Sequence, residues 1–173
     1  MADLRDALER WHDFYVLVGT GGAALTGLLF VVVSLGPRVV AQRVGAGTRA
    51  FVSPIATHFI YAFVLSALML VPAMPGQALA TCLAAAGLGG AVYTAWTGVL
   101  RHARTHKLSV LDHIWYAWLP LLVFVLLLGC GLLLLASWRP ALDGVAAACV
   151  MLIIIGLRNA WDIVLWMAQQ PRD

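Results

Sequence analysis

The segment Val150-Met-Leu-Ile-Ile-Ile-Gly-Leu-Arg-Asn-Ala-Trp-Asp-Ile-Val-Leu-Trp-Met167 embeds Arg158, Asn159 and Asp162 in residues apolar enough to span a bilayer. Ionisable groups inside hydrocarbon are expensive, so by default they mark a functional or assembly site. Arg158 and Asp162 are four apart and share a helix face, which lets them pair within the helix. A base N-terminal to an acid is the less favourable order for the helix dipole, so helix tuning is a poor reason for the pair. Helical side chains lean toward the N-terminal end, away from the nearer headgroups, so snorkelling is not expected of Arg158. It is expected to face the bundle interior or a subunit interface, with Asp162, His58, Asn159 and Tyr93 as partners.

At 1.5 Å per helical residue, Arg158 lies about 14 Å and Asp162 about 8 Å above the inner end of their span. By the same arithmetic His58 lies about 12 Å, and Tyr93 and Thr94 about 10 Å, above that face, with Thr26 near mid-depth. These groups can form one polar layer in the inner half. Imidazole titrates near neutrality, so His58 with Asp162 can carry a proton. The competing readings are a satisfied network that fixes helix register and a docking site for another membrane protein. The outer half is expected to be nearly free of polar side chains, so a continuous route needs several copies of the chain or an outer apolar gate. His102 and His106 are four apart and His113 follows, a spacing that can hold a transition metal. Beside Arg101, Arg104 and Lys107, the same residues also suit solvated basic positions near anionic lipid. No second histidine lies at membrane depth for a haem, and no cofactor is expected.

These residues have to be positioned by membrane helices. Of the 173 residues 62% are hydrophobic and 11% charged, and the mean hydropathy is +0.92. A soluble domain is about 45–50% apolar and about 25% charged. Five stretches reach the ~20 residues a span needs: 14–36, 50–71, 78–100, 114–137 and 145–167, the third being rich in Ala and Gly. They are apolar all round, as suits spans. Arg38, Arg43 and Arg49 fall in the first loop, and Arg101, Arg104 and Lys107 in the third. The positive-inside rule puts both loops in the cytoplasm, with the N-terminus outside and the C-terminus inside. The expected fold is an all-α integral membrane helical bundle, one domain over 14–173, in a bacterial inner membrane. The first apolar run is too long for a signal peptide and lacks a cleavage site.

Residues 1–13 carry Leu4, Ala7, Leu8 and Trp11 at helical spacing, with Tyr15 continuing the stripe. They are expected to form a short amphipathic interfacial helix, or else a plain extension of the first span. Gly19, Ala23 and Gly27 form one small-residue ridge, and Gly87 and Gly90 belong to another; such ridges allow close helix contact. Cys82, Cys130 and Cys149 are odd in number and lie in apolar runs, which suits packing rather than a disulfide framework.

The stretch Trp11-His-Asp-Phe14 followed by Gly21-Gly-Ala-Ala-Leu-Thr-Gly-Leu-Leu-Phe-Val31 resembles a family of small bacterial membrane proteins, common in actinobacteria and often labelled modulators of FtsH protease. The resemblance covers about a sixth of the chain. It implies a regulatory partner of a membrane protease and carries over no catalytic residue. A shorter stretch, Ala24-Leu-Thr-Gly27 to Leu35, is similar to the first helix of Orai calcium channels. It departs from that family at Leu35, where the calcium-ligating acid would stand, and in orientation.

The sequence lacks G-x-S-x-G, H-E-x-x-H and paired intramembrane aspartates, so no enzyme is expected. The leading expectation is a homo-oligomeric ion or small-solute channel or transporter. The alternative is a regulatory subunit docked on a larger membrane protein. The bilayer is the expected surrounding, and nucleic acid is not an expected partner.

Overall fold

A computed structural model describes residues 2–35, 45–104 and 114–168. Helix α1 (Ala2–Arg10) is followed by α2 (His12–Leu35), α3 (Gly45–Met69) and α4 (Gly76–Arg104). A π-helical turn, Ile114–Trp118, leads into α5 (Leu119–Leu135), and α6 (Ala141–Ala168) closes the order. Among the described residues there is no strand. Four helices are long and apolar enough to cross a membrane: His12–Val32, Gly76–Gly98, Ile114–Leu135 and Ala141–Asp162. Pro54–Met69 of α3 is a shorter apolar helix, although the whole of α3 has 25 residues, about 37 Å at 1.5 Å per residue. This is a polytopic helical membrane bundle. The Ala/Gly-rich third span is among the four.

Chain-breaking chemistry sets the helix ends. After α5, Ser137 takes a left-handed φ of 65°. The Ser137 N–H donates to Leu134 O and the Trp138 N–H to Leu133 O, each at 2.9 Å. This pairing satisfies the last carbonyls before Arg139 and Pro140. At the other end of the same span, Pro120 has no N–H and its ring crowds the carbonyl four residues back. The widened turn at Ile114–Trp118 accommodates it.

Adjacent helices run antiparallel. α2 packs on α3, α3 on α6, α6 on α5, and α5 most extensively on α4. Glycines bring the backbones together. A Cβ at Gly22 would stand 3.0 Å from Phe59 O, and one at Gly131 would stand 2.9 Å from Ala80 O. Gly87 faces the Leu128 backbone and Gly90 the Phe124 ring, so that ridge is consumed within the chain. On α2 the ridge is used only in part within the chain: Gly19 meets Ser66, whereas Ala23 and Gly27 are exposed. The contact stripe is Tyr15, Val18, Gly19 and Gly22. Steps of four advance 400° on a 3.6-residue helix, so a 19–23–27 ridge drifts about 40° per step off the contact line.

α1 is separated from α2 at Trp11 alone. Leu4, Ala7, Leu8 and Trp11 pack against the core, and Leu4 reaches the start of α4 at Gly76. Asp6, Glu9 and Arg10 face out, so α1 lies with its apolar stripe inward across the end of the bundle at which α2 and α4 begin, the outer end in the orientation expected from the loop charges. Trp96, Trp118 and Trp161 are exposed toward the inner end and Trp138 at the outer end. Trp118 and Trp138 are 20 positions apart, about 30 Å at 1.5 Å per residue, which matches a hydrocarbon core flanked by aromatic belts.

Candidate functional site

Arg158 and Asp162 form the ion pair their spacing permits. The side chains are 42% and 28% exposed, so the pair sits on the rim of the bundle and not in its interior, which leaves the subunit interface of the two expected placements. The Arg158 guanidinium lies 5.9 Å from the centroid of Trp115, a cation–π contact. Trp115 belongs to the first turn of span four. Measured against α5, the pair is therefore near the inner boundary, not about 14 Å above it. Counting back from Met167 misplaced it because α6 continues inward beyond the level at which α5 begins.

Asn159 takes the interior position. It is fully buried, and neither its Oδ1 nor its Nδ2 has a hydrogen-bond partner. His58 is buried on α3 and stacks on Phe124 of α5 at 6.3 Å between ring centroids. Tyr61 meets the same ring edge-on at 4.9 Å. Phe124 also fills the space left by Gly90, so three elements converge on one aromatic plug. Thr94 is buried, and its carbonyl accepts the Thr97 hydroxyl at 3.1 Å. Tyr93 is half-buried. Thr26 turns back on its own helix, donating to Gly22 O at 2.8 Å, and so leaves the expected layer.

The outer half is less apolar than the sequence implied. Tyr15 of α2 and Ser66 of α3 are buried, and both hydroxyls lack hydrogen-bond partners. Ser66 lies against Gly19, one turn inward of Tyr15. Sequence reasoning missed these residues because Tyr15 continued the interfacial stripe of α1, and a serine in an apolar helix commonly satisfies itself on its own backbone. The available signal was the contact spacing 15–18–22, which turns Tyr15 inward.

Together these groups mark out a seam between α3 and α6, bordered at its outer end by α2. Ser66, Ala62, Phe59, His58 and Ile55 follow one another down α3, and Cys149, Leu152, Ile155 and Asn159 down α6, all buried. Phe59 seats against Gly156, which fixes their register. Polar groups stand at both ends, with about 12 Å of apolar side chain from Ser66 to His58. A buried hydrogen-bonding atom left unmade costs about 1–3 kcal/mol, so the Tyr15 and Ser66 hydroxyls and the two Asn159 amide atoms each call for a partner such as water or a guest.

Among the described residues no group of three histidine, cysteine or acidic side chains is arranged to hold a metal. His106 and His113, and the side chain of His102, lie outside the described residues. Comparison of the chain with protein-family models, with curated proteins and with solved structures finds no match.

Proposed function

We propose that this polytopic membrane protein is a transporter for protons or a small polar solute, working along the α3–α6 seam of a single chain. The observation that carries the reading is the set of buried polar atoms without hydrogen-bond partners at both ends of that seam. Such atoms are tolerated where a guest satisfies them for part of a cycle. The Phe124, Tyr61 and His58 stack and the Leu127 and Leu152 side chains form the barrier between the two ends. This reading puts the route within one chain behind an apolar gate, one of the two arrangements the sequence left open, the other being an axis between copies. The test is flux in proteoliposomes, with an entrapped pH dye for protons and light-scattering recovery for urea and glycerol. Flux above that of empty liposomes should fall at least tenfold in Asn159→Leu and in Tyr15→Phe/Ser66→Ala. Wild-type flux equal to that of both variants sinks the proposal.

A second reading, a regulatory subunit docked on a larger membrane protein, is favoured by the half-exposed Arg158–Asp162 pair with Trp161 exposed beside it. An ion pair on the rim of the bundle near the membrane boundary gains from a protein neighbour. A photocrosslinker at position 161 in native membranes should then yield an adduct larger than any multiple of this chain. Adducts only at such multiples, or none, count against it.

A further inference from the structure

We infer that Asn159 is the binding residue of a small, uncharged, hydrogen-bonding ligand held between α3 and α6 near the inner end of the seam, and that water occupies it at rest. Asn159 is fully buried, and its amide has both a free acceptor and a free donor. A second, independent feature sits at the same level. Gly156 stands opposite Phe59, so one turn further in along the antiparallel pair brings Asn159 level with Ile55 and Pro54. Pro54 is inside α3 and buried. It lacks an N–H, so the carbonyl of residue 50, one turn further inward, receives no helical hydrogen bond from position 54. Interrupted helices place such freed carbonyls around ligands within membranes.

The donor set selects the ligand's charge. Oδ1 needs a donor and Nδ2 an acceptor, and a water, hydroxyl or amide supplies both at once. A cation would satisfy Oδ1 alone and would lie in a low dielectric without a counter-charge, because the Asp162 carboxylate is on the rim and engaged by Arg158. An anion would satisfy Nδ2 alone, and Arg158 is likewise engaged. Ile155, Leu152, Phe59 and Phe124 close the seam on its outer side.

Asn159 is the sole asparagine of the chain, so asparagine-selective ¹⁵N labelling gives one side-chain amide signal from the full protein in lipid bilayers. With that signal assigned, water-edited solid-state NMR on a uniformly ¹⁵N-labelled sample reads how fast water magnetisation reaches it and the backbone amides. Build-up at Asn159 Nδ2 should be at least fivefold faster than at the backbone amides of Leu127 and Leu152. Build-up as slow as at those residues overturns the inference. The measurement needs no variant, so a misfolded substitution cannot obscure it. A hydrated Asn159 in a protein without flux keeps this inference and removes the transport proposal. Flux with a dry Asn159 does the reverse.

Discussion

Gly131→Ala is expected to weaken the bundle although it adds only a methyl group. A Cβ at Gly131 would stand 2.7 Å from Ala84 Cα and 2.9 Å from Ala80 O, and it would also press on Ala84 N. Carbon atoms in ordinary contact are about 3.5–4.0 Å apart, so α4 and α5 must part locally by about 1 Å. The atoms in the way are backbone and cannot rotate aside. A gap of that size forfeits about a quarter to a half of each atom-pair attraction along the contact, and overpacking of this kind costs about 1–3 kcal/mol. The helix-favouring effect of Ala over Gly returns about 0.5–1 kcal/mol. The net loss is about 1–2 kcal/mol, close to a tenfold shift in the unfolding equilibrium. Gly129→Ala is the internal control, since nothing lies within 4 Å of its Cβ position. Reversible unfolding in mixed micelles by titration with SDS, followed by helicity, measures both. A Gly131→Ala protein as stable as Gly129→Ala would refute the close α4–α5 packing, and with it the seating of Phe124 over Gly90.

A double-mutant cycle over Arg158→Leu and Asp162→Leu should give a coupling of about 1 kcal/mol, as for a partly solvated pair; coupling of several kcal/mol would restore the deeply buried placement. In mild detergent, N-ethylmaleimide should modify Cys82, which is exposed, well before the buried Cys130 and Cys149. Mass spectrometry should therefore detect one adduct on the folded protein and three after SDS. Early modification of Cys149 would contradict the packed seam.

What the sequence determined by itself was local. Runs of apolar residues longer than a bilayer needs, closed by proline or charge, define membrane helices, because hydrophobic thickness is a length that a single segment satisfies alone. The amphipathic stripe of α1 and the Arg158–Asp162 pairing follow from helical periodicity within one element. Rotation and relative depth were decided only by the tertiary structure. A helix that is apolar all round has no strongly preferred inward face, so nothing in the sequence distinguished Asn159, which turned in, from Arg158, which stayed on the rim. The same holds for Gly22, which meets the α3 backbone, and Gly27, which does not. Depth counted along one helix cannot reveal that α5 begins level with Arg158; that offset arises from how glycines and the Phe124 plug seat one helix against the next. The inward turn of Tyr15 and Ser66 has the same origin, and it moved the candidate site from a charged pair on one helix to a seam between two.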